Sequence, residues 1–261
     1  MIMTETARTG SKVPPRESTL DRETAMRLAA TEYDRYLEQL RGLEASDWSR
    51  PTDCPAWDVR AMACHNLGMA TMAATFRETA RQNIKAQFRM SRRGGIFVDA
   101  LTALQVEERT GLDPAEIVAR FAEVGPRAAK GRRRRPGLFR RAAMPGTEVV
   151  NGTPEKWAFG FLIDTILTRD TWMHRVDTAW ATGRVPELTA EHDGVLVADV
   201  VEEWAARHGN PCTVTLTGPA GGRWSFGGQA GPAVELDAVE FCRILSGRVP
   251  GTGLLTVQVP F

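Results

Sequence analysis

The sequence predicts an α+β protein, with helices first and a small α/β unit last. Three observations predict it. Apolar residues recur at three- and four-residue spacing through residues 18–183, strict alternation first appears in CTVTLTG from Cys212, and helix-capping residues give way to glycine-rich turns in the last third. The expected organisation is a disordered tail at 1–17, a helical bundle at 18–185 and an α/β domain at 190–261, joined by TGRVPELTAEHDG.

Each element follows from its residues. MIMTETARTGSKVPPRE is polar with no apolar central stretch, hence the tail. Ala29, Tyr33, Tyr36, Leu37, Leu40 and Leu43 then make one face of a helix, with Ser18, Thr19 and Asp21 as cap candidates. SDWSRPTDCPAWD is rich in helix breakers and predicts a loop. Asp58 caps a second helix through Val59, Met62, His65, Met69 and Met72, expected to run toward Phe88 before Gly94 and Gly95 interrupt. A helix over about 97–109 follows, and GLDPAEIV restarts with Asp113 as cap and Pro114 in the first turn, where proline costs least. That helix should end near Lys130. The six arginines of GRRRRPGLFRRAAMPG (131–146) predict a mobile solvated loop able to rim a substrate entrance, and NGTPEKW opens the last long helix with Thr153 as cap and Pro154 as first residue. Beyond Gly183 come an amphipathic helix over 195–207, the strand CTVTLTG, a turn–strand–turn in PAGGRWSFGG, the helix LDAVEFCRILSG and a closing strand LLTVQV.

Composition narrows the function classes. Lys and Arg total 33 against 32 Asp and Glu, so no global field draws the chain to nucleic acid or to an anionic membrane. The arginine run has no accompanying aromatic platform for bases. No stretch of about 18 apolar residues could span a bilayer. Cys54, Cys64, Cys212 and Cys242 form no CxxC pair, which speaks against a thiolate zinc site or a disulfide framework and for reduced thiols in the cytoplasm.

The candidate chemistry lies in TRDTWMH. Asp170 and His174 are four residues apart on a helix, so both point to one face and can converge. His65, mid-helix in AMACHNLGM, can supply a third donor from a facing helix. Two imidazoles and a carboxylate suit a divalent ion with an open coordination position. The same spacing equally describes an ion pair beside a satisfied core histidine. Arg175 and Asp177 can orient the donors, with Arg175 read as a cofactor-binding residue, or can form an inter-helix salt bridge. Trp57 and Asp58 are read as loop and cap residues, Cys64 as a small buried hydrophobe, and His192 and His208 as structural or exposed.

WSRPTDCPAWDVRAMACHNLG followed by DTWMHRVD resembles the mycothiol-dependent maleylpyruvate isomerase family, within the DinB-like group of metal-binding four-helix bundles. ELDAVEFCRILSGR and LLTVQVPF are similar to that family's small C-terminal domain, an α/β, sterol-carrier-like unit. The resemblance implies His65, Asp170 and His174 as metal ligands, Zn2+ or another divalent metal as cofactor, and mycothiol as thiol cosubstrate. It further implies that Arg248, in LSGRVPG, serves the active site from the second domain as a catalytic residue, although as a helix C-terminal charge it could simply complement the dipole. One departure is that the family usually carries glutamate where this chain has Asp170. The implied function is thiol-dependent cis/trans isomerisation or S-transfer on a small electrophile by a monomer or homodimer. A non-catalytic ligand-binding protein of the same fold and a thiol-independent metal-dependent hydrolase are the alternatives.

Overall fold

Side-chain caps start most of the long helices. In the computed structural model, which describes residues 14–228 and 231–261, the Asp21 carboxylate accepts from the N–H groups of Glu23 and Thr24 and opens α1 (Arg22–Arg41). Asp58 accepts from Ala61 N–H and opens α2 (Val59–Ala74). The expected continuation to Phe88 is broken at Thr75, whose backbone is extended and whose hydroxyl caps a separate helix, α3 (Phe76–Arg93). Gly94 and Gly95, both at positive φ, turn the chain into α4 (Phe97–Glu107). Asp113 and Glu116 then form a reciprocal capping box at the start of α5 (Pro114–Arg133), with Pro114 in its first turn.

The arginine-rich segment is not a solvated loop. α5 extends through Arg133, α6 (Gly137–Arg141) follows, and Arg132, Arg135 and Arg140 are buried. Each has a hidden acceptor. Arg132 donates to the Ile163 carbonyl and the Thr168 hydroxyl, Arg135 to the Ala73 carbonyl, and Arg140 to the Asp164 carboxylate. None of these acceptors is near the arginines in sequence.

The last long helix also starts later than its Thr-Pro pair suggests. β1 (Glu148–Val150) and β2 (Thr153–Glu155) form a hairpin closed by Asn151 and Gly152, with φ of 51° and 73°. Those are the two left-handed positions of a type I′ turn, for which Asn-Gly is the preferred pair. The hairpin thus overrides the cap reading of Thr153. α7 (Phe159–Phe161) leads through a π-helical turn, Leu162–Ile166, into α8 (Leu167–Thr182). A π turn displaces backbone carbonyls from their usual partners. Arg132 caps the one at Ile163.

α1, α2, α5 and α8 pack in a ring, with the α3–α4 hairpin laid against α2. Tyr36, Leu40, Leu67, Ile117 and Phe121 meet in the bundle core. Burying such a side chain stabilises the fold by about 1.5–3 kcal/mol each. The α2–α5 approach is close enough that a Cβ on Gly131 would lie 2.5 Å from the Ala73 and Ala74 carbonyl oxygens.

α9 (Val195–His208) precedes β3 (Cys212–Thr217), β4 (Gly222–Phe226), β5 (Ala233–Asp237) and α10 (Ala238–Leu245). β3 is central, antiparallel to β4 and parallel to β5. LLTVQV is not a strand. Gly253–Thr256 forms a short 3-10 turn, Trp204 Nε1 donates to the Leu254 carbonyl, and Leu254, Leu255 and Val257 cover the core without joining the sheet. That core is continuous with the bundle, since Leu28, Trp172, Met173 and Val176 pack with Trp204, Phe241 and Leu245. At the other end, the backbone of Arg16 pairs with Lys156 and Ala158, so the chain is anchored one residue before the end of the expected tail. Residues 1–13 of that tail lie outside the described residues. No helix among the described residues is long and apolar enough to cross a membrane.

In an exposed helix, glycine to alanine would stabilise by up to about 1 kcal/mol. Gly131→Ala is expected to do the reverse, losing about 1–3 kcal/mol in a denaturant titration because the new methyl meets backbone that cannot move aside.

Candidate metal centre

The 51–58 loop is built to hold an indole over a histidine. Thr52 Oγ1 donates to the Trp57 carbonyl, and Trp57 N–H donates to the Cys54 carbonyl. Asp58 then starts α2 and places His65, 3% exposed, toward the cleft. Trp57 lies over the His65 ring at 4.8 Å between centroids and 5.8 Å from His174. Its expected role as a loop residue is therefore incomplete, because it also walls the site.

α8 supplies Asp170, His174 and Asp177 on successive turns. His65 Nε2 stands 3.3 Å from Asp170 Oδ2, and His174 Nε2 stands 3.5 Å from Asp170 Oδ1. The two imidazoles are perpendicular, and one donor atom from each of the three residues lies within 4.8 Å of the others. A tetrahedral ion with bonds of about 2.0–2.1 Å holds its donors roughly 3.3 Å apart. Each imidazole stands near that spacing from one Asp170 oxygen, Oδ2 for His65 and Oδ1 for His174, so the carboxylate lies between the two rings.

The second nitrogen of His174 is fixed. Its Nδ1 lies 3.0 Å from Asp177 Oδ2, so a proton held there leaves Nε2 with its lone pair toward Asp170 and His65. Asp177 is fully buried and is itself gripped by Arg248, whose Nε and Nη2 donate to Oδ1 and Oδ2 at 2.6 Å each. Nδ1 of His65 has no partner among the described residues.

Burial acts to raise the Asp170 pKa, but the charge and hydrogen bonds of His174, with those of His65, override it and hold the carboxyl below its ordinary value. Burial likewise acts against a charged His174, and Asp170 and Asp177 reverse this and lift the imidazole well above its usual pKa. Without an ion, the site therefore holds a carboxylate–imidazolium pair. Above it opens a cleft of about 550 Å³, walled by Trp57 and its loop, by Val98, Asp99, Thr102 and Ala103 of α4, and by Ser246, Gly247 and Arg248.

The sequence profile of the family described as "Mycothiol maleylpyruvate isomerase N-terminal domain" matches residues 29–179, more than half of the chain. The chain belongs to that family. A crystal structure of "the mycothiol-dependent maleylpyruvate isomerase" is similar at 15% identity and a TM-score of 0.52, covering 92% of this chain and 95% of that one. A histidine-to-alanine mutant described under the same name is similar at 14% identity and a TM-score of 0.52, over 88% and 90% of the two chains. At such identities the likeness concerns the fold. No curated protein sequence matches.

Within this member of the mycothiol maleylpyruvate isomerase family, the structure gathers His65, Asp170 and His174 at the floor of the cleft and sets Arg248 in its wall. It does not bring Arg175 there. Arg175 is 2% exposed and donates to Glu32 and Asp193, on the side of α8 that faces α1 and the 190–194 turn. A cofactor-binding role for Arg175 is replaced by a structural one, because its guanidinium bridges two buried carboxylates, Asp193 being shared with Arg35. His192 joins this network through Glu32, while His208 is half-buried at the end of α9. Cys54 is the residue that sequence reasoning passed over. It lines the cleft, its Sγ is 3.9 Å from Arg248 Nη2, and it groups with His174 and Asp177. Its position beside the Pro-x-Trp turn was the available signal.

Zinc is expected to bind the purified chain with one-to-one stoichiometry. His65→Ala and His174→Ala should each abolish binding while circular dichroism stays helical, and full zinc content in either variant by elemental analysis would remove these ligands. Asp177→Asn should weaken zinc binding by about 10–100-fold, because it loosens the Nδ1 contact. A proton on His174 must leave before its Nε2 can bind, so affinity should fall as pH falls, with about one proton released per ion near neutrality by calorimetry in buffers of different ionisation enthalpy.

Proposed function

We propose that this protein is an enzyme that uses a low-molecular-weight thiol, mycothiol by family, to attack a small electrophile at a divalent-metal site formed by His65, Asp170 and His174. The observation that carries the reading is the convergence of these three donors at the bottom of a cleft whose fourth side is open. When bound there, a divalent ion supplies the positive charge that keeps a thiol deprotonated near neutral pH, and the thiolate is the effective nucleophile.

The chain's own residues account for the rest. Asp170 lies between the two imidazoles, and one donor atom from each of the three residues is within 4.8 Å of the others, so the donors are gathered before an ion arrives. Asp177 keeps the His174 proton on Nδ1, and Arg248 keeps Asp177 ionised and in place. Trp57, Pro55 and Val98 offer apolar walls that exclude water from the thiol and orient its acceptor. Addition of the thiolate to a conjugated double bond, rotation about the resulting single bond and expulsion of the same thiolate give cis/trans isomerisation. Retention of the new carbon–sulfur bond, with a proton taken up from solvent at the neighbouring carbon, gives S-transfer. An isomerase acting on maleylpyruvate, as in the names of the similar structures, is one member of this reaction class.

With cobalt in place of zinc, added mycothiol should produce a near-ultraviolet sulfur-to-metal charge-transfer band, and His174→Ala should lose it. Turnover of an electron-poor alkene should depend on the thiol. A metal-loaded protein that gives no band at saturating thiol, or that turns over equally without thiol, would overturn the reading.

A further inference from the structure

Charge in the cleft bears on what can enter it. Among the described residues, Arg248 is the one arginine or lysine in its lining, against the carboxylates of Asp53, Asp99 and Asp170. Arg248 is already engaged, with two short hydrogen bonds to buried Asp177. Those bonds use the Nε–Nη2 edge, so an approaching carboxylate meets the Nη1 end of a guanidinium whose charge Asp177 already balances. Asp53 is matched by Arg243 at 2.8 Å, outside the floor. Asp170 belongs to the ligand set, and with a thiolate it balances a divalent ion.

Asp99 remains. It is exposed on the α4 wall facing the site, and no described cation pairs with it. The cleft thus has a neutral floor, an acidic rim and largely apolar walls at Pro55, Ala56, Trp57, Val98 and Ala103. The Thr102 and Ser246 hydroxyls, the Trp57 indole and the Cys54 thiol add neutral hydrogen-bonding groups to the lining.

We infer that the thiol acceptor of this protein is an uncharged, partly apolar electrophile such as a neutral conjugated carbonyl compound, and that Asp99 on α4 disfavours dicarboxylates. The inference rests on the thiol reading given above, since it concerns the second substrate of the same cleft. A dicarboxylate would bring two negative charges to a guanidinium whose own charge Asp177 already balances, and would lie beside Asp99, which has no paired cation among the described residues. An uncharged acceptor meets neither obstacle.

The test uses a matched pair without reactive double bonds, succinate and dimethyl succinate. Each is titrated into the zinc-loaded full chain saturated with mycothiol and followed by ligand-observed NMR. The ester is expected to bind at least about tenfold more tightly, a difference of about 1.4 kcal/mol. Asp99→Lys should raise succinate affinity by about threefold or more and leave the ester unchanged, with Asp99→Asn intermediate. Succinate binding as tightly as the ester in the unaltered chain would overturn the inference, as would an Asp99→Lys variant indifferent to charge. The cobalt band is the separate readout of the thiol reading. If the band fails to form, that reading falls, and the same two probes titrated into the metal-free chain still decide the charge preference.

Discussion

A carboxylate with no solvent exposure stands behind the candidate centre. Asp177 accepts two hydrogen bonds from Arg248 and faces His174 Nδ1, so one buried anion is answered by a guanidinium from the C-terminal part and an imidazole from its own helix. Left unpaired, a buried carboxylate costs several kcal/mol, enough to threaten a domain whose whole stability is about 5–15 kcal/mol. The position of Arg248 is therefore imposed, and with it the orientation of His174. Gly247 makes this possible, since its φ of 80° turns the chain out of α10 and points the next residue back at α8.

The same helix is held on its other sides by ionic contacts. Arg175 ties α8 to Glu32 of α1 and to Asp193, which also accepts from Arg35 and Trp172. Arg169 ties it to Asp199 and Glu203 of α9. Before it, the π turn sets the rotational phase at which Asp170, His174 and Asp177 emerge, and buried Arg132 satisfies the Ile163 carbonyl within that turn. Ionic partners on three sides leave α8 little freedom to rotate. Donors on such a helix need little ordering when an ion arrives.

Much of this was legible in the sequence where the cause is local. Asp58 and Asp113 announced their helices because a cap acts within three residues, and the four-residue spacing of Asp170 and His174 put both on one face. What failed depended on distant partners. Six arginines between Gly131 and Gly146 look solvated until Ile163, Ala73 and Asp164 are known to lie against them. Arg175 reads as a site residue from its place in HRVD, and only the fold shows that it faces Glu32 and Asp193 away from the cleft, whereas Arg248 does line it. The misplaced start of the last long helix is different, because Asn151 and Gly152 were visible and the Thr-Pro pair was given precedence over a stronger turn-forming signal.

The matched family region ends at residue 179, yet the counter-charge of Asp177 arrives from residue 248. A boundary drawn by similarity therefore runs through an ion pair. Grafting another C-terminal segment onto this bundle would preserve every candidate donor atom and still strand an anion in the interior. The two parts are thus obliged to change together, and a swap between relatives succeeds only where the incoming segment brings its own guanidinium to that spot.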